Sequence, residues 1–427
     1  MPVDEVTNPP MTAATHRAAF FRQSGWLMIA SISGGLFMWV VHFLAKAIPA
    51  REYGLFGTLL AVAMCIPTMP LQMVMTQQTA RALATNREGE LAGMIRSIWL
   101  GVSFLWLAGA VVVLVFQGVI LQRWEISNPM ALWITLLVVL FSLWAPLFQG
   151  VLQGAQNFFW LGWSMMLNGV GRIFVAACFV LLLGAYSTGM MTGVLLGLVV
   201  AAVIAIWQTR SLWLAPPKSF DWSSLLRQVV PLMLGFGAFQ FLFTADTMFV
   251  RAYFTADETG FYVSAGTMSR ALMWLVGPLA AVMFPRIVHS AAKAEKTDLM
   301  GLVLGGTAIM AIGGAVVLSL LGPWVVRLVY NQSYVQVAAA VLPWYAGAMI
   351  PLALANVLIN NLLARSSFKI VPVLCVLAVA YAFALTHFHG TLVMVLKTMG
   401  VFNLILLATC ALFTWSGKTR ATEQPGA

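Results

Sequence analysis

About a dozen runs of roughly twenty apolar residues, separated by short connectors, divide this chain from end to end. A helix of roughly twenty residues spans the hydrocarbon core of a bilayer and satisfies its own backbone there, so the pattern calls for an all-α polytopic membrane protein. Composition agrees at one decisive point. Only 8% of the 427 residues are charged, against about 25% in a soluble protein that must keep its surface wet.

Spans are predicted at 25–47, 54–79, 97–120, 130–153, 158–183 and 189–209, and again at 229–252, 262–285, 300–321, 337–363, 370–387 and 392–415. The net charge of +10 is spread over connectors, which points to membrane topology and away from nucleic acid. With the N-terminus inside, fifteen lysines and arginines, Arg17, Arg81, Arg96, Arg210 and Lys218 among them, fall on the inner side. Five, Lys46, Arg51, Arg123, Arg251 and Arg327, fall on the outer side. This asymmetry predicts twelve spans with both termini cytoplasmic, in the cytoplasmic (inner) membrane. The polar first 24 residues contain no h-region or small-residue cleavage site, so a cleaved signal peptide is not expected. The cysteines, Cys65, Cys178, Cys375 and Cys410, all lie in spans without metal-ligand spacing and read as small core residues.

The longest polar connector, from Thr209 to Gln228 with Pro216, Pro217 and Lys218, separates two sets of six spans. The expected organisation is a cytoplasmic segment 1–24, a six-helix bundle 25–210, a linker 211–228, a second bundle 229–415 and a tail 416–427. An internal echo links the bundles: Ala50-Arg51-Glu52-Tyr53-Gly54-Leu55-Phe56 after the first span resembles Ala256-Asp257-Glu258-Thr259-Gly260-Phe261-Tyr262 after the seventh. Two related halves around a central cavity that opens alternately to either side are a transporter design. The outer loops are short, so an extracellular catalytic domain is not expected.

Function must then reside in polar groups within the spans, where an ionised side chain costs at least about 2.5–3.5 kcal/mol and needs a partner, a wet cavity or a route to the interface. Arg172 lies deep in the fifth span on a stripe with Ser164 and Asn168; it reads either as a cavity-facing binding group or as a structural hydrogen-bond hub. Asp246, the one acidic residue within a span, lies eleven residues before the hairpin tip near Asp257, and Arg270 thirteen after it. Similar depth predicts an ion pair between adjacent helices, either structural or a gating and proton-linked switch. Lys46 and Arg251 end their spans where headgroups are within reach, as Lys397 can do unless it faces the cavity. His42 reads as a packing histidine, and His387 and His389 lack a third ligand for a metal. Neutral stripes complete the set: Gln72, Thr76 and Thr79 in the second span, Gln240, Thr244 and Thr247 in the seventh, and Asn356 and Asn360 in the tenth. These either join helices or line the cavity. Pro67, Pro70, Pro146, Pro278, Pro343 and Pro351 predict kinks. The candidate substrate-binding set is therefore Arg172, Arg270, Asn168, Lys397, Gln240, Thr244, Asn356 and Asn360, with Asp246 for coupling or gating. A cavity of that polarity suits an anion bearing many hydroxyls, because arginine forks hold phosphate while amides and hydroxyls hold sugars.

On these residues the chain resembles the polysaccharide transporter family, the Wzx-type flippases of the multidrug/oligosaccharidyl-lipid/polysaccharide superfamily. The likeness rests on Ala50 to Phe56 within Leu44 to Leu60, on Gly150-Val151-Leu152-Gln153-Gly154 followed by the helix of Arg172, and on Ala245-Asp246-Thr247 through Glu258-Thr259-Gly260-Phe261-Tyr262 to Phe284-Pro285-Arg286. It extends over the layout of the whole chain and about a quarter of it in motif. The resemblance implies a non-enzymatic transporter without cofactor that moves polyprenyl-pyrophosphate-linked oligosaccharide across the membrane for O-antigen or exopolysaccharide synthesis. It also implies a proton or sodium gradient as driving force, and a polymerase and glycosyltransferases as pathway partners. Lipid II flippases of the superfamily carry two further C-terminal spans, absent here, which argues against a peptidoglycan precursor. Two other readings remain. An ion-coupled exporter of cationic drugs would favour acidic cavity residues, and only Asp246 is available. A membrane glycan polymerase or ligase would need catalytic groups gathered at one face, whereas Glu52, Glu125, Asp257 and Glu258 are scattered over three loops.

Overall fold

The computed structural model describes the backbone of residues 13–292, 299–364 and 367–422, and side chains within 25–223, 225–275, 300–363 and 367–415. Residues 1–12 and 423–427 of the expected terminal segments lie outside the described residues, as do the side chains of Pro278, Arg286, Lys293, Lys296 and Arg365. The helices, in chain order, are α1 (Ala13–Val40), α2 (Ala50–Met64), α3 (Met69–Ala84), α4 (Glu88–Arg123), α5 (Met130–Gly154), α6 (Phe158–Ala177), α7 (Tyr186–Gln208) and α8 (Arg210–Trp213). They continue with α9 (Trp222–Tyr253), α10 (Ala256–Ala292), α11 (Leu299–Leu320), α12 (Gly322–Val329), α13 (Gln332–Ala364), α14 (Val371–His387) and α15 (Leu392–Thr422).

Among the described residues, eleven helical segments are long and apolar enough to cross a membrane. The expected span at 262–285 falls within the 37-residue α10, which is not one of the eleven. Apolar sequence on every side of a helix is stable only where lipid or other helices meet each face, and the exposed Leu100, Phe104, Leu105, Ile309 and Val379 face outward. The chain is a multi-pass, all-α membrane protein. Before the 209–222 connector, α6 packs on α1 and α7, and α5 on α3 and α7. After it, α13 packs on α10, α11 and α15, and α9 on α14. The two groups meet chiefly where α2 lies against α10 and α9. Below, the end of the molecule holding the 209–222 connector is the linker end, and the opposite end is the far end.

The second span departs from the kinked helix expected over 54–79. It is two helices, α2 and α3, separated at Cys65–Thr68, with Pro70 in the first turn of α3. Pro67 and Pro70 both lack an N–H, so the carbonyls ahead of them lose their helical donors. The helix stops at Met64, and the Met64 carbonyl at its end accepts from Gln240 Nε2 at 2.9 Å across the boundary between the two groups. By contrast, Pro146, Pro343 and Pro351 remain inside continuous helices.

At the far end the echoed segments meet. α2 and α10 cross with Gly54 against Gly260, where a Cβ on Gly54 would stand 2.6 Å from the Gly260 nitrogen. Two glycines at a crossing let the backbones touch. The internal repeat thus marks a contact in which each half offers the equivalent residue to the other.

Candidate functional site

Polar side chains concentrate on both sides of the α2/α10 crossing. In the second half, α9 brings Asp246 and Thr247 to face Arg270 one hairpin later on α10, as the register around Asp257 predicts. Arg270 Nη2 donates to both Asp246 carboxylate oxygens, at 2.8 and 3.1 Å, and to Thr247 Oγ1 at 3.0 Å. The hydroxyls of Tyr262 and Tyr345 donate to Asp246 Oδ2 at 2.9 and 2.5 Å. The guanidinium also lies 5.4 Å from the ring centre of Phe243 and 5.6 Å from that of Tyr345. Asp246 is fully buried. A carboxylate in that position is tolerable only when its lone pairs are taken and its charge is cancelled, and this cluster does both.

In the first half, the 3₁₀ turn Val41–Ala47 and the start of α2 place His42 beside Tyr53, with His42 Nδ1 and the Tyr53 hydroxyl 2.8 Å apart. The same hydroxyl lies 2.9 Å from that of Tyr330 and 3.3 Å from Thr267 Oγ1. Tyr330 follows α12 and Thr267 sits on α10, so this branched chain of hydrogen bonds crosses from one half to the other. Thr267 precedes Arg270 by one turn of α10. The far-end tyrosines reinforce the junction: Tyr334 stacks on Tyr330 with ring centres 5.1 Å apart, and its hydroxyl donates to the Ile48 carbonyl at 3.4 Å.

Arg172 projects from α6 into the neighbourhood of this junction, within electrostatic reach of His42 and Tyr53. It is 8% exposed, its Nε has no partner, and its guanidinium makes no hydrogen bond or ion pair among the described residues. The expected stripe on α6 divides by role. Ser164 is occupied with helix packing, accepting from Gln149 Nε2 at 2.8 Å and donating to the Ala201 carbonyl at 3.0 Å. Asn168 lies over Gly197 of α7. Of the three, only Arg172 has a buried polar atom without a partner among the described residues.

The remaining candidates are not gathered at the junction. Gln240 holds the Met64 carbonyl, and Thr244 Oγ1 bonds back to the Gln240 carbonyl at 2.8 Å. Gln72 and Thr76 both donate to Gln153 Oε1 at 3.2 Å, tying α3 to α5. Asn360 Nδ2 donates to the Asn356 carbonyl and Oδ1 at 2.8 and 2.9 Å. Lys397 is exposed on α15, its ammonium 5.0 Å from the ring centre of Trp344 on the neighbouring α13.

Sequence reasoning read Arg251 as reaching for headgroups, but it is 5% exposed and turned inward. Its Nε and Nη2 donate to the Trp124 carbonyl at 2.9 and 2.5 Å. The carbonyls at a helix C-terminus lack internal donors and carry partial negative charge, so an arginine from the other half caps α4. Arg123 lies over Tyr253 at 5.6 Å, and Tyr253 stacks on His389 with ring centres 4.0 Å apart. Tyr330, Tyr334, Tyr345 and the role of Tyr262 were also missed. A signal was present: the chain has eight tyrosines, and six of them, at 53, 262, 330, 334, 345 and 381, are fully buried. A buried phenol usually finds a hydrogen-bond partner, as five of these do, while the Tyr381 hydroxyl has none among the described residues. No group of three metal-ligating side chains occurs among the described residues.

Comparison with known proteins follows the same lines. The family model described as lipid II flippase MurJ matches residues 75–423. An inward-facing multidrug resistance MATE family transporter of the MOP superfamily has the same fold, with a TM-score of 0.70 at 12% identity over 91% of this chain and 94% of that one. Lipid II flippase MurJ in an inward closed conformation gives 0.68 at 14% identity over 93% and 87%. An outward-facing MATE family transporter gives 0.58 at 14% identity over 95% and 96%. No curated protein matches the sequence.

Proposed function

The chain belongs to the lipid II flippase MurJ family, and from that premise we propose that it carries a polyprenyl-pyrophosphate-linked oligosaccharide across the cytoplasmic membrane by alternating access. The observation that carries this reading is Arg172, buried without a counter-ion among the described residues and within electrostatic reach of the hydroxyl cluster that joins the halves. An arginine so placed is stabilised by an anion, and its planar fork suits phosphate. The charge balance points the same way. Arg270 is cancelled by Asp246, Arg251 is spent on a helix end and Lys397 lies at the surface, so among these four cations Arg172 is the one left buried and uncompensated by any described residue. A cationic drug would meet repulsion there. Half-buried Asn168, Gln240, Asn356 and Asn360 and the buried Thr244 would serve the sugars, with Arg270 completing the set.

The proposed substrate is an oligosaccharide repeat unit for O-antigen or exopolysaccharide, delivered by glycosyltransferases on the cytoplasmic side and taken by a polymerase on the other. The family match favours a second candidate with the same anchor, lipid II, contrary to the sequence expectation. With both termini cytoplasmic, as the basic residues suggest, the far end faces outward and substrate enters from the linker end. Asp246 would answer to a proton or sodium gradient only by letting go of Arg270, which makes the pair a switch inside the second half.

Proteoliposomes loaded with labelled polyprenyl-pyrophosphate oligosaccharide, or with lipid II, test this. An impermeant reagent reads the fraction exposed outside over time, with and without imposed gradients. Protein-dependent exposure that is lost in Arg172→Gln supports the reading, and the substrate arm that responds names the glycan. Exposure at the empty-liposome level with both substrates would overturn it.

A further inference from the structure

The connector that joins the two halves is fastened to the start of α4 by three hydrogen bonds. Arg96 Nε donates to the Trp213 carbonyl at 2.6 Å and Nη2 to the Ala215 carbonyl at 3.0 Å, while the Lys218 backbone N–H donates to the Gly89 carbonyl at 2.8 Å. Between connector and helix lies a cleft of about 430 Å³, lined by Arg96, Ser97, Lys218, Ser219, Phe220 and Trp222 among others. Two cations and two hydroxyls face it, and no carboxylate does. Nη1 of Arg96 has no partner, and the Lys218 ammonium makes no hydrogen bond or ion pair among the described residues. An adjoining cleft of about 230 Å³ on the other side of Phe220 holds Arg81 and Arg87, but also Glu90 and Asp221, and Arg87 lies 3.7 Å from Glu90. The uncompensated positive charge is therefore in the first cleft.

The cleft is also lined by α4, the least buried of the candidate spans among the described residues. None of the most apolar stretch of α4 is buried. From Ser97 the helical spacing runs through Gly101, Phe104, Ala108 and Val111 on one face. Phe104 is 74% and Leu100 70% exposed, and the space beside Gly101 is open. At the level of the cleft, Trp99 packs edge-on against Trp144 and Trp213, with ring centres 5.4 and 5.6 Å apart. Tryptophans gathered in this way are typical of the headgroup level of a bilayer. A cationic pocket at that level, continuous with an unpartnered apolar track, matches the two chemistries of one molecule.

We propose that this cleft binds an anionic diacyl phospholipid of the surrounding leaflet. Its phosphate lies between Arg96 and Lys218, its headgroup oxygens accept from Ser97 and Ser219, and its chains run along α4. Such a lipid fastens the connector to the first half and makes the tether between the halves depend on the charge of the membrane. The inference is independent of what the protein transports.

The test uses the full chain purified in a neutral detergent, titrated with phosphatidylglycerol or phosphatidylcholine of identical chains and read by native mass spectrometry and thermal unfolding. Each cation facing a net-anionic headgroup contributes about fivefold, and the choline ammonium of phosphatidylcholine cancels its phosphate charge, so phosphatidylglycerol should bind roughly 25-fold tighter. Lys218→Gln keeps the backbone bond to Gly89 and should weaken phosphatidylglycerol about fivefold. Arg210→Gln removes a cation that lies 4.5 Å over Trp207, apart from the cleft, and should leave binding unchanged. Equal binding of the two lipids, or equal affinity in wild type and Lys218→Gln, overturns the proposal. So does tight binding of polyprenyl phosphate without phosphatidylglycerol, which would make the cleft a substrate site.

Discussion

Removing one oxygen atom, in Tyr53→Phe, should loosen the far end of the molecule. The Tyr53 hydroxyl lies 2.8 Å from His42 Nδ1 and 2.9 Å from the Tyr330 hydroxyl, with a longer contact of 3.3 Å to Thr267. Only the contacts to Tyr330 and Thr267 cross between the halves, but losing the oxygen leaves His42 unpaired as well. A neutral hydrogen bond contributes about 0.5–1.5 kcal/mol net, so losing two good bonds removes about 1–3 kcal/mol from the closed far end. The open arrangement, in which water can reach these groups, loses much less. The ratio of open to closed should therefore rise by about 5- to 150-fold. Spin labels at Arg51→Cys and Asp257→Cys would report it, since both residues are exposed at the ends of α2 and α10 that cross at Gly54 and Gly260. The four native cysteines, all free, are replaced first. Wild type should give a single short distance, and Tyr53→Phe a second, longer population; Tyr330→Phe should act in the same direction, and the double variant less than additively. If the distance distributions of wild type and Tyr53→Phe coincide, the hydroxyl chain does not hold the halves together and the reasoning fails.

Asp246→Asn should cost about 3–5 kcal/mol by leaving Arg270 buried without its counter-ion, and Asp246→Asn combined with Arg270→Gln should recover part of the loss; thermal unfolding in detergent checks it, and additive losses would deny the coupling. Gly54→Ala introduces a Cβ 2.6 Å from the Gly260 nitrogen; the spin-label pair should move apart while membrane insertion is unaffected. Lys397→Ala should reduce flipping far less than Arg172→Gln in the proteoliposome assay, because Lys397 is exposed beside Trp344 while Arg172 is enclosed at the junction. Arg251→Gln should raise protease or label access near Trp124 by uncapping α4, which a cysteine at Glu125 can measure.

The fold was legible because its cause is one-dimensional. Each apolar run must cross the bilayer as a helix, whatever its neighbours do, and twelve such runs were countable. The Asp246 and Arg270 pair was legible for a similar reason, since residues equidistant from a hairpin tip share a depth. What escaped depends on partners remote in sequence. Arg251 ends a span where headgroups are normally available, and nothing nearby in sequence announces that the Trp124 carbonyl, 127 residues earlier, will take it. Pro67 signalled a bend, but whether a helix bends or separates depends on whether carbonyls at the break find donors, and the Met64 carbonyl finds Gln240 from the other half. Ser164 and Arg172 share a stripe and looked alike as candidates. The structure separates them by what faces each: Gln149 and α7 for one, no partner at all for the other.

The placement of the internal echo bears on how such a machine can move. If the two halves rock, the segments that stay in contact should carry little side-chain bulk, and bonds that hold one state should be few enough to break. Gly54 against Gly260 meets the first condition, since two helices touching through bare backbone can roll on one another without unlocking interdigitated side chains. The Tyr53 cluster, adjacent on the same helix, meets the second: its about 1–3 kcal/mol lies in the range that leaves a second state populated in a protein that must visit both. A pyrophosphate at Arg172 would arrive beside the Tyr53 hydroxyl and compete for its proton, drawing it away from Tyr330 and Thr267. Binding and release of the far end would then be coupled through one hydroxyl. The coupling has a measurable consequence, because in Tyr53→Phe the spin-label distances should no longer respond to added polyprenyl pyrophosphate, whereas in wild type they should lengthen.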